Sequence, residues 1–266
     1  MTKRRPPRRV VDASWYDYPA YYDVAMMDDT QAEADFVEAV WKKFGSGPLR
    51  TTLEPGCGSG RLVRELAKRG FGLAAFDDNE KAIAYLRARL TEEGTTAELF
   101  RGNLSRFRVS APVDLAHCFC NTFRHLLTPE HALSHLRSVA RALRPGGLYV
   151  LGLHIMPIDA DPVDSERWTC ERDGVKVRTT LTVARTFPRK RLERLRVVMD
   201  VDAPNERIRI QSWTTLRLWN LVEILALLKR VRAFSLVGTY DFLYDVDDPV
   251  ALDEYSSDVV FVLRKK

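Results

Sequence analysis

The sequence predicts an α/β fold: a doubly wound, mainly parallel sheet with a small antiparallel β insertion. Three observations lead there. Between residues 48 and 157, short apolar runs alternate with amphipathic helical stretches, the pattern of a parallel sheet with right-handed crossovers. A Gly-x-Gly-x-Gly run, Gly56 to Gly60, lies where a strand-like segment gives way to a helical one. Glycines there allow a sharp turn and close approach of the backbone to a ligand. From residue 167 to 215 the period changes to two. Val175, Val177, Thr179, Leu181 and Val183 alternate with polar residues, as do Leu195, Val197, Met199 and Val201, which describes antiparallel strands wet on one face.

The elements follow in order. Residues 1–14 hold the basic run Lys3-Arg4-Arg5-Pro6-Pro7-Arg8-Arg9 and read as a disordered tail. Residues 15–47 combine an aromatic, acidic segment (Trp15 to Asp23) with a helix over 31–44, a lid and a supporting helix. The core spans residues 48–157. Its helices are marked by Leu62, Val63 and Leu66, by Ile83, Leu86 and Leu90, and by Leu133, Leu136 and Ala140. Its strands cover 72–76, 97–100, 113–119 and 148–153, the last entered through the turn Arg144-Pro145-Gly146-Gly147. The insertion occupies 158–215. A helix over 216–230 and two strands, 234–240 and 259–264, close the chain.

Composition bounds the function. The 266 residues are 45% hydrophobic and 29% charged, enough for one large domain with a full core. Net charge is +5, concentrated partly in the tail. Four irregularly spaced cysteines make no disulfide framework. No apolar run is long enough to span a membrane, and no signal-peptide core opens the chain. The expectation is a cytoplasmic protein without a membrane partner.

Candidate site residues sit at strand ends, where doubly wound sheets bind ligands. Glu54 enters the glycine loop, which makes the loop a poor cradle for pyrophosphate and a good one for a ligand with a positive amino group. Asp77, followed by Asp78 and Asn79, ends the second strand; a carboxylate there accepts two ribose hydroxyls. That spacing also suits a dinucleotide. Asn103 and Leu104 follow the third strand and suit an adenine amine and ring. Phe119, Asn121 and His125 lie where the fourth strand turns polar, and His154 lies just past the fifth. His117 falls inside its strand and reads as core. A zinc site of His117, Cys118 and Cys120 is disfavoured, because adjacent strand residues point to opposite faces.

The order of these features resembles the class I S-adenosylmethionine (SAM)-dependent methyltransferases. The run Leu53-Glu54-Pro55-Gly56-Cys57-Gly58-Ser59-Gly60 is similar to their first motif, and Leu143-Arg144-Pro145-Gly146-Gly147-Leu148 looks like the turn before their fifth strand. The resemblance covers about residues 15–157 and the final fifty. The insertion and the N-terminal Tyr-Asp segment are similar in layout to small-molecule N-methyltransferases, such as sugar-amine dimethyltransferases and glycine N-methyltransferase. The resemblance implies a Rossmann-like sheet of seven strands, the last antiparallel between the fifth and sixth. It implies SAM as cofactor and S-adenosylhomocysteine as product, held by Tyr22, Glu54, Gly56, Cys57, Gly58, Gly60, Asp77, Asp78, Asn103, Leu104 and Phe119. Asn103 stands where the family usually has Asp. The expected acceptor is a small amine, with His125, His154 and Asn121 as acceptor-side candidates. No metal is expected, and a homodimer is compatible with an exposed insertion edge. An RNA methyltransferase and a non-catalytic SAM-binding protein are the other readings. A NAD-dependent oxidoreductase fits less well, since the loop is not Gly-x-Gly-x-x-Gly.

Overall fold

The computed structural model describes residues 7–157 and 165–266. The first six residues of the basic tail and the opening of the insertion, 158–164, lie outside the described residues. In chain order the elements are β1 (Arg9–Asp12), α1 (Pro19–Ala25), α2 (Thr30–Phe44), β2 (Thr51–Pro55), α3 (Arg61–Lys68), β3 (Gly72–Asp77), α4 (Glu80–Glu92), β4 (Glu98–Arg101), β5 (Val113–Cys118), α5 (Pro129–Ala142), β6 (Leu143–His154), β7 (Ser165–Arg172), β8 (Val175–Phe187), β9 (Leu192–Asp202), β10 (Arg207–Arg217), α6 (Leu221–Lys229), β11 (Phe234–Tyr240) and β12 (Asp258–Lys265).

They form two sheets. The larger has the order β11-β12-β6-β5-β2-β3-β4. β2, β3, β4, β5 and β6 run parallel, and β12 runs antiparallel between β6 and β11. This is the seven-stranded topology the sequence implied. Its two faces are apolar on both sides: one packs on α5 and α6, the other on α2, α3 and α4. β5 is buried along its whole length, as expected of a central parallel strand. His117, in its middle, is fully buried with both ring nitrogens unpartnered. Burial lowers its pKa from 6.5 to about 3, so it is a neutral core residue, as expected.

The smaller sheet has the order β1-β10-β9-β8-β7. Its inner face buries Val177, Val197, Met199 and Val201 from the alternating runs, together with Ile208 and Ile210 on β10, while Val175, Leu181 and Val183 of the same runs are half-buried. Tyr22 and the neighbouring lid aromatics pack on this face.

Three expectations are corrected here. Residues 9–12 are not part of a disordered tail; they add a parallel edge strand to β10. The last helix begins at Leu221 rather than residue 216, because Asn220 and Glu223 form a reciprocal capping box that fixes its first turn. The Arg144–Gly147 segment is an irregular part of β6, where the pairing slips between Val113 and Leu115.

A buried carboxylate joins the two sheets. Asp23, on α1, is fully buried. It accepts hydrogen bonds from Arg64 on α3 at 2.9 Å, Arg172 on β7 at 2.5 Å and Tyr85 on α4 at 2.9 Å. Removing one member of such a group strands the others without a partner in a low-dielectric interior. The Asp23→Ala variant is therefore expected to lose about 3–5 kcal/mol, read as a lowered urea midpoint.

Candidate functional site

The C-terminal ends of β2, β3, β4 and β5 open into a cavity of about 540 Å³, a size typical of small-molecule and cofactor sites. Its floor is the glycine loop between β2 and α3. Gly58 has φ +54°, a left-handed conformation that glycine takes at no steric cost, and its N–H donates to Asp77 Oδ2 at 2.8 Å. Asp77 Oδ1 accepts the Asn79 N–H at 2.9 Å. The end of β3 and the glycine loop thus hold each other. Burial raises the Asp77 carboxyl pKa, against the lowering effect of the Asn79 and Gly58 N–H groups.

Glu54 lines the same cavity and its Oε2 is buried without a hydrogen-bond partner. Burial is the chief cause that lifts its pKa from 4.5 to about 8; Arg61 opposes this and Glu33 adds to it. Arg61 is committed elsewhere, to Glu33 at 2.6 Å and Cys120 Sγ at 2.7 Å. The cavity wall therefore holds a carboxyl oxygen that no group of the protein satisfies.

The roof comes from the N-terminal segment. Tyr16 and Tyr22 line the cavity, with ring centroids 5.3 Å apart. Trp15 is buried behind them, edge-on to Tyr22 at 4.9 Å. Asp17 pins the segment to the end of β3, accepting from Asn79 Nδ2 at 2.9 Å and Lys81 Nζ at 3.0 Å. Tyr16 Oη lies 3.0 Å from His125 Nε2. Burial, helped by Arg124, lowers the His125 pKa to about 4, so the imidazole is neutral at physiological pH.

Of the residues expected at a cofactor site, Tyr22, Glu54, Gly56, Cys57, Gly58, Asp77, Asp78, Asn103, Leu104 and Phe119 all line this cavity. Gly60 does not. Its φ is +73°, and a Cβ there would lie 2.3 Å from Leu86, so it serves the close approach of the loop to α4. Asn103 Oδ1 already accepts from Ser105 N at 2.9 Å and Ser105 Oγ at 2.6 Å, leaving its amide N–H groups as the free polar function.

Of the three acceptor-side candidates, only His125 reaches the cavity. His154 is paired with Asp258 across the β6–β12 ladder. Asn121 Oδ1 accepts the His154 N–H at 2.8 Å, a clamp between the ends of β5 and β6. Sequence reasoning missed Tyr16, His131, Trp213 and Thr214, which also line the cavity. Tyr16 carried a signal in its aromatic segment. Trp213 and Thr214, on β10, carried none, since only the packing of the second sheet brings them to the mouth.

Comparison with known proteins agrees with this arrangement. A family model described as a methyltransferase domain matches residues 52–147, the stretch from β2 to the start of β6. Residues 52–147 are thus similar to a methyltransferase domain. A Geobacillus sp. (strain WCH70) protein described as a methyltransferase is 26% identical over 141 residues, covering 52% of this chain and 57% of that protein. The cypemycin N-terminal methyltransferase of Streptomyces sp. is 25% identical, covering 92% of this chain and 99% of its own. Among solved structures, a SAM-dependent methyltransferase from Clostridium acetobutylicum ATCC 824 has TM-score 0.75 at 14% identity, covering 92% of this chain and 96% of its own. The sugar N-methyltransferase KedS8 from Streptoalloteichus sp. ATCC 53650 has TM-score 0.73 at 16% identity, covering 100% and 98%.

The cavity carries a measurable electrostatic cost at Glu54. Between pH 4.5 and about 8 the folded protein holds a proton on Glu54 that the unfolded chain has released. Stability from this group is thus present at low pH and declines as pH rises through the folded pKa. Glutamine does not titrate. Glu54→Gln is expected to gain a few degrees in Tm relative to wild type between pH 5 and pH 9, measured by thermal unfolding of the ligand-free protein.

Proposed function

We propose that the chain transfers a methyl group from SAM to the nitrogen of a small-molecule amine. The observation that carries this reading is the unpartnered, buried Glu54 carboxylate beside a glycine loop. The residues present fit SAM: Glu54 for its ammonium, Asp77 for the ribose hydroxyls through the lone pairs its two backbone bonds leave free, and Asn103 Nδ2 with Leu104 for the adenine. Tyr16 and Tyr22 close over the site and suit a sulfonium by cation–π attraction. When bound, SAM supplies an electrophilic methyl group on a positive sulfur.

The chain's own contribution is alignment and exclusion of water. The aromatic roof and the β10 residues narrow the space above the loop. The Tyr16–His125 pair presents hydrogen-bonding groups to an acceptor N–H. A histidine held neutral down to about pH 4 orients an amine better than it collects the proton, which leaves to water once the lone pair has attacked. The small acceptor is supported by the cavity volume. It is also supported by the structural likeness to a sugar N-methyltransferase, and by the likeness over most of both chains to a relative named as an N-terminal methyltransferase.

The test is formation of S-adenosylhomocysteine over a panel of primary and secondary amines, of hydroxyl compounds and of RNA. Turnover with amines alone is expected; turnover confined to RNA overturns the small-molecule reading. Gly58→Val is expected to abolish SAM binding with the fold retained, and Asp77→Ala to weaken it by about 1.5–3 kcal/mol, both read by titration. His125→Ala is expected to lower kcat by less than the roughly 10²-fold typical of a lost general base, with an unchanged pH–rate profile.

A further inference from the structure

Outside the methyl-transfer cavity, α5 and the chain between β4 and β5 enclose a second groove of about 800 Å³. It is lined by Arg106, Arg108, Arg137 and Arg141, with Glu130 the one acidic side chain in the lining. Ser134, Arg137 and Arg141 recur at the three- and four-residue spacing that puts side chains on one face of a helix. Glu130 opens the same stripe at the N-terminal end of α5. Arg106 and Arg108 face it from the loop. All four arginines are exposed. Among the described residues none of them makes an ion pair, in contrast to Arg101, Arg124 and Arg144 nearby in the sequence. Arg141 donates to Ser138 Oγ at 2.8 Å; among the described residues the other three guanidinium groups have no side-chain partner.

We propose that this groove is the docking site for an acidic segment of a partner protein. Guanidinium groups present paired N–H donors that match carboxylates bidentately. Four of them gathered in one concavity make a field of one sign that attracts and orients an anion-rich partner. Size selects the occupant. From residue 130 to 141 the helix stripe runs about 16 Å, longer than one small oxyanion needs and suited to a single extended or helical peptide. Chemistry selects it further. Single-stranded nucleic acid is held by stacking on exposed aromatic rings, whereas the groove's aromatic residue, Phe107, is buried in the core beneath. The groove also adjoins the methyl-transfer cavity, since Ser105 and His131 line the cavity while their neighbours Arg106 and Glu130 line the groove. An acidic partner seated there lies beside the cavity mouth.

The test is fluorescence anisotropy of the full-length protein with three labelled probes of twelve units. These are a Glu-Ala repeat peptide, a Ser-Ala repeat peptide and a single-stranded DNA. At low salt the acidic peptide is expected to bind at least tenfold more tightly than the neutral peptide and than the DNA. Arg137→Glu with Arg141→Glu is expected to weaken acidic-peptide binding at least tenfold, and the corresponding double Lys variant by no more than about threefold. S-adenosylhomocysteine affinity, read by calorimetry, is expected to be the same in all three proteins, which shows that the variants are folded. Absence of acidic-peptide binding, binding insensitive to the double reversal, or DNA binding as tight as the peptide's overturns the proposal. None of these readouts depends on which acceptor is methylated.

Discussion

The architecture turns on one buried charge cluster. Asp23 is the point where three parts of the chain meet: the N-terminal segment, the helices α3 and α4 packed on the larger sheet, and the first strand of the insertion. Its carboxylate has no access to water, so it is tolerable only with cationic and hydroxyl donors around it. Arg64 and Arg172 supply the charge and Tyr85 completes the shell. With Asp23 fixed, α1 is fixed, and Tyr22, one residue earlier, lies over the glycine loop. The cavity thus inherits its roof from an interaction made outside it.

The floor follows a different logic. Both oxygens of Asp23 have donors, Ser59 Oγ reaching Oδ1 at 3.5 Å; at Glu54 the match is left open. A buried carboxyl oxygen without a partner costs stability, and this one lines the cavity beside the glycine turn. Such a local violation of good packing is what a binding site looks like energetically. Arg61 illustrates the restraint. It lies close enough to influence Glu54 but is tied to Glu33 and Cys120, so Glu54 Oε2 is left without a partner.

The core was legible from periodicity. β2, β3, β5 and β6 are short apolar runs with glycine or acidic residues at their ends, and their sheet order is the one the motif order implies. That the residues expected on the cofactor side gather at one cavity was legible for the same reason, because strand ends in a doubly wound sheet converge. The acceptor half was not. His154 leaves the fifth strand in the right place along the chain, yet the antiparallel pairing of β12 brings Asp258 against it. Asn121 has a left-handed backbone, φ +63°, and its side chain is spent on the His154 N–H. Trp213 and Thr214 depend on how the second sheet packs, which no local pattern encodes. β1 escaped notice because four residues with charges at both ends show no apolar face; the strand forms because β10 offers a free edge on that side.

Calorimetric titration of the purified protein with SAM, S-adenosylhomocysteine and NAD tests the central claim most directly. The account predicts micromolar binding of both adenosyl ligands, none of NAD, and loss of SAM binding in Glu54→Gln. Failure to bind either adenosyl ligand, or a preference for NAD, would contradict it.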